Sequence, residues 1–157
     1  RTEKKMSTPN EKFADHRFQF SSPGLGKTGQ YQMSGIPFTS ASIVVPNVES
    51  PFVAPAAEIK FPYVTKFITI VNEHSGSSAK LRVGFSALGI TGSAGGNDTG
   101  ENYLILDNGE SYTGEFRVSS VFLVGHESPT TASVIAGMTG INASSLLTNW
   151  SGTSGVG

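Results

Sequence analysis

Between residues 39 and 141, apolar side chains fall in short runs separated by clusters of Gly, Pro, Asn, Asp and Ser. The runs are rich in Val, Ile, Phe, Tyr and Thr, which favour strands over helices. No stretch has a helical period long enough to connect two parallel strands, so a parallel sheet is excluded. The pattern predicts eight strands, at residues 41–45, 57–63, 65–72, 80–86, 102–106, 111–119, 121–126 and 131–139.

Two of these runs alternate strictly between apolar and polar positions. In residues 80–86, Leu81, Val83 and Phe85 alternate with charged or small residues. In residues 111–119, the positions of Tyr112, Gly114, Phe116 and Val118 share one parity, while Ser, Thr, Glu and Arg occupy the other. Because successive side chains of a strand point to opposite faces, each run is predicted to bury one face and expose the other.

Local turn signals separate the runs. Residues 107–109 have the sequence Asp-Asn-Gly, which accepts the positive φ of a tight turn and predicts a hairpin between residues 103–106 and 111–118. Pro62 cannot donate to a strand ladder, so its run is predicted to be an edge strand or to bend there. Residues 90–100, rich in Gly, are predicted to form a loop.

Eight antiparallel strands in about a hundred residues predict an all-β sandwich or barrel. The eight-stranded antiparallel jelly-roll sandwich is the commonest way to close that number of strands with long connections, and an immunoglobulin-like sandwich is the alternative. This jelly-roll domain is predicted to span residues 39–141, since a chain of 157 residues has the length of one domain.

The two ends of the chain differ from the central domain. Residues 1–38 are predicted to form an extended N-terminal arm, charged over its first dozen residues and then aromatic without a helical or strand period. Residues 142–157 are predicted to form a flexible tail with one possible helical turn in 142–150. The chain begins with Arg1, and Met6 is a plausible alternative start.

Composition excludes several classes of protein. The chain has 11 basic and 12 acidic residues, so no overall field attracts nucleic acid, and no apolar run is long enough for a transmembrane helix. The absence of cysteine excludes disulfides and thiolate metal sites. A charged fraction of 15%, with abundant Gly, Ser and Thr, instead predicts a neutral, hydroxylated surface suited to packing against other proteins.

The candidate chemical motifs are weak. The Gly-Lys-Thr at residues 26–28 lacks the earlier glycine, the strand and the helix of a phosphate-binding loop. His16, His74 and His126 lie in three separate segments without ligand spacing. We therefore predict no catalytic, cofactor-binding or metal-binding residue, and a protein that is not an enzyme.

The acidic residues and the His-Glu-Ser sequence at residues 126–128 do not have the pattern of a catalytic or metal site. His126 is followed by Glu127 and Ser128, but neighbouring residues of a strand point to different sides. Acidic residues at 101, 107, 110 and 115 cluster along the predicted hairpin without the spacing of a calcium loop or a glycosidase pair, and are predicted to form a solvated face.

Four segments carry a resemblance to a known family. They are EIKFPYVTKFITIVN at residues 58–72, LRVGFS at 81–86, GESYTGEFRV at 109–118 and TASVIAGMTGI at 131–141. Together they resemble the small single-jelly-roll capsid proteins of large icosahedral double-stranded DNA viruses of algae and protists.

The resemblance implies a structural virion protein, located in the capsid and assembled in the host cytoplasm. We expect the pentameric vertex subunit, or penton, with a homopentamer and the neighbouring capsid proteins as partners and no direct contact with nucleic acid. Other minor capsid proteins are the alternative within the family. The alternative outside it is a carbohydrate-binding β-sandwich module, since jelly rolls also form lectins.

Overall fold

The computed structural model describes residues 35–47, 56–76, 79–91 and 102–146. Within them, a five-residue helix α1 spans Ala87–Thr91 and a 3-10 turn spans Ala143–Ser145. The remaining regular elements are eight strands: β1 at Ile36–Val45, β2 at Ala57–Lys60, β3 at Tyr63–Asn72, β4 at Leu81–Gly84, β5 at Tyr103–Leu106, β6 at Ser111–Gly114, β7 at Ser120–Gly125 and β8 at Thr130–Asn142. Each overlaps one predicted strand.

The strands form two antiparallel sheets of four. Sheet one has the order β1-β8-β3-β6, and sheet two has the order β2-β7-β4-β5. Side chains from both sheets form one buried cluster, including Ile68 and Val134 from sheet one and Leu81 and Leu123 from sheet two. The predicted all-β antiparallel sandwich is confirmed at this level.

The predicted alternation is confirmed in both strands. Leu81 and Val83 of β4 are buried, with Arg82 half-buried between them. Along residues 111–118 the exposure alternates in the same way, from exposed Ser111 to buried Val118. The strand β6 nevertheless ends at Gly114, five residues earlier than predicted.

Beyond Gly114, hydrogen bonds of Thr65 take the place of the β3–β6 strand pairing. Its hydroxyl is fully buried, donates to the carbonyl of Phe116 at 2.7 Å and accepts from the amide of Val118 at 3.2 Å. The amide of Thr65 donates to the carbonyl of Val118 at 3.1 Å. A side chain therefore holds the segment after β6 against β3, where the pairing of β3 with β8 is also irregular.

Pro62 lies where the chain passes from one sheet to the other. The strand β2 ends at Lys60 and lies at the edge of sheet two, and β3 begins at Tyr63 in sheet one. The prediction for Pro62 is therefore confirmed, since the chain both forms an edge strand and turns at the proline. The carbonyl of Pro62 accepts from the amide of Ala143 at 3.1 Å, which attaches the 3-10 turn to this corner.

The hairpin prediction is wrong in its pairing, although the turn itself is present. Gly109 has a φ of 74°, and the amide of Glu110 donates to the carbonyl of Asp107 at 3.0 Å. However, β5 pairs with β4 in sheet two and β6 pairs with β3 in sheet one. An Asp-Asn-Gly sequence determines only the turn, whereas the pairing partner depends on which sheet buries the apolar side of each strand.

Three predicted boundaries need correction, two at the ends of the domain and one in its middle. Residues 36–38, assigned to the arm, belong to β1, where Phe38 packs edge-on against Phe61 with ring centroids 5.0 Å apart. Residues 90 and 91, assigned to a loop, belong to α1. The strand β8 extends to Asn142, which caps the 3-10 turn, the single helical turn predicted there. Residues 1–34, 92–101 and 147–157 of these predictions lie outside the described residues.

Asn72 connects the two sheets at one end of the sandwich. It is fully buried at the end of β3. Its side-chain oxygen accepts from the hydroxyl of Thr130 at 2.9 Å, at the start of β8. Its side-chain nitrogen donates toward three carbonyls of the β3–β4 connection and of β5 and its turn, those of Ala79 at 2.8 Å, Leu106 at 3.3 Å and Asp107 at 3.2 Å.

Candidate interaction surfaces

The outer side of sheet one carries an uncharged surface, which we call the neutral face. Residues paired across neighbouring strands share a face, so Thr39, Ile135, Thr69 and Thr113 form one row across all four strands. The inward neighbours Ile68, Ile70 and Val134 are buried, which places this row outward. The full face consists of Pro37, Thr39, Val44, Phe67, Thr69, Val71, Ser111, Thr113, Thr131, Ser133, Ile135 and Gly137.

Hydroxyl and branched apolar groups are mixed on the neutral face. The hydroxyls of Thr69 and Thr113 lie 2.8 Å apart and form a cross-strand hydrogen bond. Val44 is 79% exposed and Ile135 is 44% exposed, so large apolar groups contact solvent beside these hydroxyls. Covering a face of this kind removes water from no charged group, but the buried hydroxyls need hydrogen-bond partners.

The outer side of sheet two is different, because α1 packs on part of it. Ile90 of α1 is fully buried, and its side chain lies against Gly84, where an added Cβ would meet the Cβ of Ile90 at 3.2 Å. Val124 on the same outer side of β7 is also buried. Glycine at position 84 therefore allows the helix to approach the sheet closely.

An N-cap hydrogen bond to Ser86 explains why α1 starts at Ala87. The hydroxyl of Ser86 accepts from the amide of Gly89 at 3.0 Å, three residues later, as an N-cap does. The carbonyl of Gly89 then accepts from the amide of Asn102 at 3.0 Å, so β5 enters next to the helix. A serine at the end of an alternating strand is the signal for this helix in the sequence.

Arg82 lies on this outer side and joins three strands and α1. Its Nε donates to Nδ1 of His126 at 2.8 Å, and its Nη1 donates to the carbonyl of Ile90 at 3.3 Å. The guanidinium carbon lies 4.4 Å from the centroid of the Tyr103 ring, within the range of a cation–π contact. The cluster therefore holds Arg82 in place as a structural group between β4, β5, the end of β7 and α1.

A second set of exposed apolar side chains lies at the edge of sheet two. Leu104 and Ile105 of the edge strand β5 are 42% and 38% exposed, and Leu88 of α1 is also exposed. We call these three residues the β5–α1 surface. A short edge strand with exposed side chains on both of its sides is a ready contact for another chain.

His74, His126, Asp107 and Glu110 have structural partners in the described residues. Nδ1 of His74 accepts from the amide of Gly76 at 2.8 Å, whereas Nδ1 of His126 is bonded to Arg82. The carboxylate of Glu110 accepts from the amide of Asp107 at 2.8 Å, within the turn. His16, Glu101 and the Gly-Lys-Thr sequence lie outside the described residues.

The described residues contain neither a metal-binding cluster nor a membrane-spanning helix. In the ranges given above, no group of three or more His, Asp or Glu side chains is placed to hold a metal ion. The described part of the chain also contains no helix with the length and apolarity to cross a membrane. The candidate interaction surfaces of the described residues are therefore the neutral face and the β5–α1 surface.

In comparisons with known proteins, no family model matches this chain and no curated protein matches it.

Proposed function

We propose that this chain is a structural virion protein, the pentameric vertex subunit of the capsid of a large double-stranded DNA virus. In this proposal the described domain is an eight-stranded jelly roll, and its function is to assemble with itself and with neighbouring capsid proteins in the host cytoplasm. Another minor capsid position in the same kind of particle is the alternative.

The observation that carries the proposal is the pairing of strands from opposite ends of the chain. The strand β1 pairs with β8, β2 with β7, β3 with β6 and β4 with β5. This nested pairing is the arrangement of one long antiparallel hairpin of eight strands rolled into two sheets, which is how a jelly roll is built.

The segments that resemble capsid proteins support the same reading. Residues 58–72 form β2, the Pro62 corner and β3, and residues 131–141 form most of β8. The segment at 81–86 contains β4, and that at 109–118 contains β6. The resemblance therefore involves strands of both sheets and the corner between them, rather than surface loops.

The two candidate interaction surfaces support assembly into a ring of subunits. A closed ring of identical subunits uses two different surfaces on each subunit, because each contact is made head to tail. Sheet one provides the neutral face, and the far edge of sheet two provides the β5–α1 surface. The low charge of the chain, with 11 basic and 12 acidic residues, limits repulsion between crowded copies.

The aromatic residues give less support to a carbohydrate-binding module. The described residues include nine Phe and Tyr side chains, and all nine are buried or half-buried. Tyr103 lies under the guanidinium of Arg82, and Tyr112 stacks on Phe116 with centroids 6.4 Å apart. A sugar-binding surface instead usually presents aromatic faces to the solvent, so assembly is the better-supported function of this sandwich.

Light scattering of the purified full chain at low and high concentration tests the proposal. For a subunit of 16.5 kDa, a closed pentamer has a mass of about 80 kDa that does not grow further with concentration. A chain that stays monomeric at every concentration and binds members of a glycan array would overturn the proposal in favour of the binding module.

A further inference from the structure

The neutral face lacks the charged residues that are common on a solvated side. An antiparallel sheet with one solvated side alternates hydrophobic with polar residues, and charged residues are mostly found at such exposed positions. The strand β8 contains no charged residue, and β3 contains only Lys66. Lys66 lies where the register between β3 and β8 shifts, so the regular outward row of β3 is uncharged. Nevertheless, Val44 and Ile135 are exposed in the described domain.

A segment of matching chemistry precedes the first strand. Residues 18–34 contain Phe18, Phe20, Leu25, Tyr31 and Met33, and their only charged residue is Lys27. Covering the neutral face with a charged segment would remove water from its charges without providing partners, and this segment avoids that cost. The charged residues of the N-terminus are concentrated before it, in residues 1–17.

The point of attachment also matches. The amide of Gly35 donates to the carbonyl of Met138 at 3.0 Å, so the chain enters sheet one beside the neutral face. Four strands about 4.8 Å apart span about 15 Å, whereas 17 extended residues reach about 55 Å. The segment can therefore turn back at Gly35 and cross the whole face.

The spacing of its apolar residues suits a flat surface. Phe18 and Phe20 are two residues apart, as are Tyr31 and Met33. In an extended chain, residues two apart point to the same side. Each pair can therefore place both side chains on the sheet while the Gln and Ser residues between and beside them point to solvent.

We propose that residues 18–34 dock onto the neutral face of their own chain. The proposal favours the same chain because a segment attached at the rim of the face has an effective concentration there of the order of millimolar. This docking does not depend on the proposed pentamer, and within a ring the docked segment would form the outer layer on that side of the subunit.

Thiol labelling can test the docking, because the natural chain has no cysteine and a single introduced thiol is unambiguous. Ile135→Cys places the thiol on the neutral face, where Ile135 is 44% exposed. Glu58→Cys is the control on the outer side of sheet two, away from the neutral face and the β5–α1 surface, where the side chain is 34% exposed. Each is made in the full chain, once alone and once with Phe20→Ser, Tyr31→Ser and Met33→Ser. Thr113→Cys is a second probe of the face if the Ile135 variant does not fold.

The docked segment should slow labelling of Ile135→Cys by about tenfold or more relative to Glu58→Cys at low protein concentration, since that ratio corresponds to a docked state populated by about 90%. The triple serine variant should bring the two rates within a factor of about two. Equal rates with the natural segment would overturn the proposal, as would slow labelling that the serine variant leaves unchanged. Protection that appears only at high concentration would also overturn it, because the cover would then come from another copy.

Discussion

The two outer sides of this sandwich differ in their charged residues and in how far they are covered by the domain itself. Sheet two is partly covered by its own helix, and its uncovered part carries charged groups such as Glu58, Lys60 and Arg82. Sheet one has a row of Thr and Ile side chains across four strands. Its regularly paired outward positions carry no charge, and the exposed Glu73 and Glu115 lie just beyond the ends of β3 and β6. The few charged residues of the domain are therefore spread unevenly over its two outer sides. The uncharged side of sheet one is the one suited to contact with another protein segment.

The largest effect is expected at the end where the two sides are joined. Asn72→Ala removes a buried side chain that bonds groups of both sheets and leaves several buried partners unsatisfied. We expect a loss of about 3–5 kcal/mol in the free energy of unfolding, measured by denaturant titration. Asn108→Ala, in the exposed turn nearby, should change it by less than about 0.5 kcal/mol. A small effect at Asn72 would show that the two sheets are not held together there.

Removing the cover of sheet two should be the next largest change. Ile90→Ala leaves a cavity over Gly84 and Val124 and should destabilise the fold by about 2–4 kcal/mol. Leu88→Ala, on the same helix but exposed, is the matched control and should cost less than about 1 kcal/mol. Thermal unfolding of both variants measures the difference, and equal losses would contradict the role assigned to α1.

Arg82 tests whether the charged side is structural. Arg82→Met keeps the aliphatic stem but removes the bonds to His126 and to the Ile90 carbonyl and the contact with Tyr103. A loss of about 1–2 kcal/mol is expected in the free energy of unfolding. Lys60→Met removes an equal charge from an exposed ion pair with Glu58 and should change stability by less than about 0.5 kcal/mol. Similar values for the two variants would mean that the Arg82 cluster contributes little.

The smallest effect is expected on the neutral face. Thr69→Val combined with Thr113→Val removes both members of the exposed hydroxyl pair while keeping branched side chains. Because no hydroxyl is left without its partner, stability should change by less than about 0.5 kcal/mol, measured by denaturant titration. A loss above about 1 kcal/mol would show that the hydroxyls stabilise the sheet itself rather than only defining its surface.

Much of this fold could be predicted because its strands are defined locally. The alternation of Leu81 and Val83 with charged neighbours, and the proline at 62, are local signals that the structure retains. The pairing of β5 and β6 could not be predicted in the same way, because residues 107–109 specify a turn and say nothing about the sheets on either side. The Thr65 and Asn72 side-chain bonds join residues far apart in sequence and could not be seen before the fold was known.

The surfaces were less predictable than the fold. The neutral face had a signal, since residues 131–139 contain no charged residue, but the strand pairing was needed to show that Thr39, Thr69 and Ile135 form one row. The Arg82 cluster had no signal in the sequence. His126 is 44 residues from Arg82, and only the pairing of β4 with β7 brings the two side chains together.

The most direct test of the central claim, that unlike surfaces on the two sheets build a closed ring, is the mass of matched variants by light scattering. Ile105→Lys puts a charge on the β5–α1 surface, and Glu127→Lys changes the charge of an exposed residue in the β7–β8 connection, outside both surfaces. We expect about 80 kDa for the natural chain and for Glu127→Lys, and a mass near the 16.5 kDa monomer for a folded Ile105→Lys. A ring that Ile105→Lys leaves intact, or a natural chain that never associates, would contradict the claim.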